Sequence, residues 1–134
     1  MDIEAFLAGS PHAVVGASRD RSKIGNRVVQ AFQQANRPVY PVNPNATVIE
    51  GLAAYPDLAS LPVSVYGVSV ITPPSVTESI VEQAGSLGIK HIWFQPGAES
   101  PKAVQRATEL GMNVIWGGPC LLVILGYREQ RSRH

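Results

Sequence analysis

Residues 13–25 read Ala13-Val14-Val15-Gly16-Ala17-Ser18-Arg19-Asp20-Arg21-Ser22-Lys23-Ile24-Gly25. The run 13–17 is short, β-branched and ends in small residues, which predicts a strand that stops at a tight turn. Apolar residues then recur at Ile24, Val28, Phe32 and Ala35, the spacing of a helix over 24–35. Asn36 can take the left-handed conformation that closes a helix, and Arg37-Pro38 launches the extended run Val39-Tyr40-Pro41-Val42. Strand, loop, helix and strand together make a β-α-β unit.

The alternation repeats along the chain. Residues 65–72 read as a strand, 75–87 as a helix closing at Gly88, and 90–95 as a strand. Residues 100–110 then read as a helix closing at Gly111, and 112–116 as a strand. The runs Val68-Ser69-Val70-Ile71 and Asn113-Val114-Ile115-Trp116 are apolar enough to lose both faces to packing, as strands of a parallel sheet must. Crossovers of this kind are right-handed, and a closed β/α barrel takes about 250 residues. The expectation is therefore an open, Rossmann-like parallel α/β sheet of about five strands, helices on both faces, with residues 1–134 as a single domain. The polar tail 128–134 reads as a frayed end or a short helix.

Composition narrows the function. The chain has 134 residues, 45% apolar and 16% charged, with formal net charge +1. It is too apolar for disorder and too balanced for an indiscriminate polyanion binder, so no nucleic-acid partner is expected. One cysteine excludes an internal disulfide framework and a multi-thiolate zinc site, and no metal site is expected. Asp2 and Glu4 stand where a secretory leader would carry cations, and Gly117, Gly118 and Pro119 interrupt the longest apolar stretch. No membrane association and a cytoplasmic location are the expectations.

In parallel sheets ligands sit beyond the carboxyl ends of the strands, which here means the loops beginning at Gly16, Asn43, Thr72, Gln95 and Gly117. The first opens a helix, where free backbone N–H groups and the positive dipole end suit phosphate. Arg19, Arg21 and Lys23 crowd this turn against one acid, Asp20, which implies a guest with several phosphates. The plainer alternative is a solvated loop after a strand end. The loop departs from the dinucleotide fingerprint G-x-G-x-x-G, since Ser18 and Arg21 stand at its second and third glycine positions. The second strand ends in Asn43-Pro44, not in the acid that binds an NAD ribose. Arginine nearby can welcome the 2′-phosphate of NADP, yet a reductase also needs a positioned proton donor. His12 just before the first strand, His91 inside a strand and His134 at the terminus do not supply one.

Val14-Val15-Gly16-Ala17-Ser18, Lys23-Ile24-Gly25, Tyr40-Pro41-Val42-Asn43-Pro44, Ile49-Glu50-Gly51, Thr72-Pro73-Pro74, Trp93-Phe94-Gln95-Pro96-Gly97-Ala98 and Cys120 occur in this order. Taken together they resemble the small stand-alone CoA-binding protein family. That family is similar in turn to the CoA-binding domain of the succinyl-CoA synthetase α subunit. The resemblance implies coenzyme A, or an acyl-CoA, as the small-molecule ligand. Gly16, Ala17, Ser18, Arg19, Ser22, Lys23 and Gly25 would meet its phosphates. Val42, Asn43 and Pro44 would face the ribose, where neutral Asn43 avoids the repulsion an acid would cause. Thr72, Pro73 and Pro74 would offer an apolar wall to adenine or pantetheine, although Pro74 also suits helix initiation. Gln95, Pro96 and Gly97 would face the pantetheine arm or form a plain turn.

The synthetase carries its phosphohistidine on a second domain, which these residues do not include. No catalytic residue is expected, since Ser18 and Ser22 lie in the phosphate loop and Cys120 has no nearby base in sequence. Cys120 reads as a buried small side chain or, alternatively, as a thiol able to form a mixed disulfide with CoA. The expectation is a binding module, alone, as a homo-oligomer or beside a partner enzyme. The alternatives are an NADP-binding reductase and a subunit of an acyl-CoA ligase or transferase whose second domain is a separate chain.

Overall fold

A computed structural model of the chain describes residues 1–129. His134 and most of the tail 128–134 lie outside the described residues. Five parallel strands form the central sheet: β1 (His12–Val15), β2 (Val39–Val42), β5 (Gly67–Val70), β6 (His91–Phe94) and β7 (Asn113–Ile115), in the spatial order β2-β1-β5-β6-β7. A two-stranded hairpin, β3 (Val48–Ile49) and β4 (Leu52–Ala53), and a 3-10 turn (Leu58–Ser60) fill the connection between β2 and β5. The helices are α1 (Ile3–Leu7), α2 (Ile24–Gln34), α3 (Pro74–Ser86), α4 (Pro101–Glu109) and α5 (Leu121–Ile124).

Both faces of the sheet are covered, because alternate residues of each strand enter different cores. Ala13, Val15, Val68, Val70, Ile92 and Phe94 pack with Ile80, Val81 and Ala84 of α3 and Ala103 and Ala107 of α4. Val14, Trp93 and Ile115 pack on the other face with Phe6 of α1, Val28, Val29 and Phe32 of α2 and Leu121 of α5. Thus α2 lies on one face and α3 and α4 on the other, as right-handed crossovers running in opposite directions from the sheet centre require.

The expected fold class is the observed one. Asn36 (φ 56°), Gly88 (φ +75°) and Gly111 (φ +79°) follow α2, α3 and α4 in left-handed backbone, as anticipated. Three strands are shorter than expected: strand 13–17 runs His12–Val15, strand 65–72 runs Gly67–Val70, and strand 112–116 runs Asn113–Ile115. His12 does not precede the first strand but opens it, fully buried against Phe6, Phe32 and Tyr66. Four short helical or hairpin pieces, α1, α5, β3–β4 and the 3-10 turn, were not anticipated. Each is too short to show a period in sequence. Among the described residues no helix is long and apolar enough to cross a membrane.

Candidate functional site

The chain leaves β1 toward β2 on one side, returns, and from β5 proceeds to β6 and β7 on the other. The reversal between β1 and β5 opens a crevice at their carboxyl ends, the place where open parallel sheets take ligands. A cleft of about 540 Å³ occupies it. Its floor is Val15, Gly16 and Ala17 from the end of β1 and Ile71, Thr72 and Pro73 from the end of β5. The start of α2 (Lys23, Ile24, Gly25) and the end of β2 (Val42, Asn43, Pro44) form one flank. One face of α3, Val76, Ser79, Ile80 and Gln83, forms the other.

Two glycines let these elements approach. Gly16 has φ +93°, and a Cβ there would meet the Ile71 carbonyl carbon at 2.9 Å. A Cβ on Gly25 would stand 2.0 Å from the Gly16 carbonyl oxygen. Glycine at 25 is therefore what brings the N-terminus of α2 down onto the end of β1.

The β1–α2 loop is held by its own side chains and by its neighbours. Asp20 Oδ1 accepts from Ser22 N (2.9 Å) and from Ser22 Oγ (2.7 Å), and Ser18 Oγ accepts from Asp20 N (3.0 Å). These bonds from Ser22 hold the Asp20 carboxyl below its ordinary range. Asn43 Nδ2 donates to Ala17 O (2.8 Å), and Asn43 Oδ1 accepts from Asn45 N (2.7 Å). Asn43 thus ties the end of β2 to the loop and leaves one amide hydrogen for a guest. The first residue of α2 follows Lys23, which makes no side-chain cap, so the helix start keeps donors facing the cleft.

The expected trio of cations is corrected to a pair. Arg21 turns away from the cleft and grips Glu50 with two hydrogen bonds, Nη2 to Oε1 at 2.7 Å and Nε to Oε2 at 3.2 Å. The bond from Arg21 is the main reason that the Glu50 carboxyl lies below its ordinary range, and Glu50 in turn raises Arg21. Among the described residues, Arg19 and Lys23 have no ion-pair partner. Lys23 lines the cleft, while Arg19 borders an adjoining shallow recess that shares Ser18 and Asn43 with it.

Ten of the expected residues meet in one cleft: Gly16, Ala17, Ser18, Lys23, Gly25, Val42, Asn43, Pro44, Thr72 and Pro73. Ser22 does not line it, its hydroxyl being spent on Asp20. Pro74 stands at the first position of α3, the helix-initiating role. Gln95, Pro96 and Gly97 lie outside the lining. The Gln95 side chain is buried, its Oε1 accepting from Leu121 N (2.7 Å) and its Nε2 facing Cys120 Sγ (3.4 Å). Sequence reasoning missed Val15, Ile24, Asn45, Pro56, Asp57, Ile71 and the α3 face. The α3 residues carried a signal, since Val76, Ser79, Ile80 and Gln83 stand at i, i+3, i+4 and i+7. Pro56 and Asp57 reach the cleft by way of the hairpin connection, which has no local signature.

Comparison with known proteins adds the relatives. The family model for the CoA binding domain matches residues 11–126. The chain is similar, at 27% identity over 84% of its length, to an ADP-forming acetate–CoA ligase of Archaeoglobus fulgidus, of which it spans 18%. Its fold is similar to a conserved hypothetical protein from Pyrococcus furiosus, with 35% identity, a TM-score of 0.80, and 84% and 97% of the two chains covered. It is also similar to the dinucleotide-forming acetyl-coenzyme A synthetase 1 of Ca. Korarchaeum cryptofilum, with 29% identity and a TM-score of 0.73. That match covers 84% of this chain and 27% of the synthetase.

Proposed function

Given that the chain belongs to the CoA binding domain family, we propose that the cleft between β1 and β5 holds coenzyme A or an acyl-CoA. The observation that carries this reading is the two-sided lining of one continuous cleft. Its α2 flank offers helix-start N–H groups, Ser18 and Lys23, which has no ion-pair partner among the described residues, a setting for phosphate. Its α3 flank offers Pro73, Val76 and Ile80, an apolar wall for adenine or a pantetheine arm. No acid ends β2, so a ribose carrying a further phosphate meets neutral Asn43 there, and the acid that does line the cleft, Asp57, is engaged by Ser60 N and Oγ through its Oδ1.

The protein acts as a CoA-holding module in an acyl-CoA system, and further domains or chains supply the chemistry. The acetate–CoA ligases that the chain resembles over part of their length support a place in an acyl-CoA system. Isothermal titration with CoA, dephospho-CoA, NADP and ATP tests the reading. CoA should bind, and removal of its 3′-phosphate should cost about 1.5–3 kcal/mol, the range for hydrogen bonds to charged groups. Equal affinity for dephospho-CoA would remove the reason for preferring CoA over other adenine nucleotides. Preference for NADP would return the cleft to the reductase reading.

A further inference from the structure

Glu50 sits at the tip of the β3–β4 hairpin with φ 49°, a left-handed backbone that a residue other than glycine rarely adopts. Such a conformation persists where its surroundings over-determine it. Here the Glu50 carbonyl accepts from Gln33 Nε2 of α2 at 3.0 Å, which pins the turn against the helix. The side chain then points back into the protein, with only 11% of it exposed.

Each bond that this carboxylate makes leads to the phosphate-facing loop. Arg21, in the middle of the loop, forms the two-point contact described above. Asn26, fully buried on the first turn of α2, donates one amide hydrogen to Glu50 Oε2 (2.9 Å) and the other to Ser18 O (2.9 Å), at the start of the loop. The Asn26 amide oxygen accepts from Gln30 Nε2 (2.6 Å), which fixes its orientation. One carboxylate, 24 and 29 residues away in sequence, therefore restrains the loop at its start and its middle. It also keeps the Arg21 charge off the cleft.

We propose that Glu50 is a positioning residue for the ligand cleft, clamping the β1–α2 loop in its receiving shape through Arg21 and Asn26. The proposal rests on the reading of the cleft as a CoA site. A clamped loop has lost its conformational freedom during folding, so the ligand does not bear that cost when it binds. A hairpin anchor with no role in binding would instead stabilise the fold and leave the loop unaffected.

The experiment compares wild type, Glu50→Gln, Arg21→Ala and the double variant by amide hydrogen exchange of the free proteins and by CoA titration. The reporters are the Ser22 and Lys23 amides, which bond to Asp20 inside the loop. Each single variant should speed their exchange and weaken CoA by about fivefold, the upper range for a partly exposed ion pair. Exchange in β1 and β5 should not change. The double variant should be no worse than the worse single, because both substitutions open the same clamp. Unchanged loop exchange in both singles, or losses that add in the double, would overturn the proposal. Exchange is read without ligand, so a wild-type protein that fails to bind CoA would sink the CoA reading while the loop data still decide the clamp.

Discussion

Gly25 and Lys23 stand two residues apart at the start of α2, yet substitution should affect them in opposite ways. A methyl group on Gly25 would collide with the Gly16 carbonyl oxygen, a backbone atom that cannot rotate aside. Gly25→Ala should therefore push α2 off β1, destabilise the protein by about 1–3 kcal/mol and abolish CoA binding. Gly16→Val combines the clash against Ile71 with a positive φ and should cost at least as much, read by chemical denaturation. Retained CoA affinity in a folded Gly16→Val variant would mean that the ligand lies elsewhere. Lys23 is a cation at the positive end of a helix dipole and has no ion-pair partner among the described residues. Lys23→Ala should leave the Tm of the free protein unchanged or slightly raised and shrink the thermal shift on adding CoA. Added salt should shrink the wild-type shift too, since partly exposed charges are screened over about 8–10 Å. A lower Tm with an undiminished CoA shift would give Lys23 an ordinary structural role.

Among the elements, α5 is joined to the rest of the fold by Gln95, a residue also expected to bind ligand. This four-residue helix has no side-chain cap of its own. The Gln95 amide, at the end of β6, supplies one by accepting from Leu121 N, and the Trp93 indole donates to Pro119 O at 3.1 Å just before it. Leu121, fully buried, then packs against the α2 side of the sheet. Gln95→Leu should leave the Leu121 N–H buried without a partner and cost about 1–3 kcal/mol by urea denaturation. CoA affinity should stay within about twofold of wild type, because the cost falls on a different element from the cleft. A large loss of affinity with little loss of stability would place Gln95 on the ligand.

Across the whole molecule, the response to pH should fall into two windows. Burial is the main reason that His12 and His91 titrate below the ordinary histidine value. The Phe6 carbonyl beside His12 Nε2 favours charge on His12, Arg37 and His91 disfavour it, and Asp2 favours charge on His91. Because both folded values lie below the unfolded value of about 6.5, their stabilisation is complete above that pH and is lost as pH falls through the folded values. Tm should therefore drop between about pH 7 and pH 5, and His12→Gln should flatten the drop. The carboxyls of Asp20, Glu50 and Glu82 are lowered by their hydrogen bonds, so their contribution is present above the ordinary carboxylate range, about 4, and disappears only in more acid solution. A Tm that is flat from pH 7 to 5 in wild type would contradict the first window.

The sequence by itself determined the class of fold and the edge of the sheet that carries the cleft. The 2- and 3.6-residue periods that mark strands and helices are local, and Gly16, Asn36, Gly88 and Gly111 punctuate them where the backbone turns left-handed. The ends of β1, β2 and β5 were legible as site candidates for the same reason: a ligand at a parallel sheet meets the residues just past each strand. Tertiary structure decided which of those candidates share a cleft. Strand order places β5 beside β1, so Thr72 and Pro73 face Gly16, while the residues after β6 lie outside the cleft lining. It also decided that Arg21 meets Glu50 and that Gln95 meets Leu121, pairs 29 and 26 residues apart. A charge or an amide in a sequence has no intrinsic partner. Its partner is set by where the chain returns after a crossover, and that depends on the packing of both sheet faces at once.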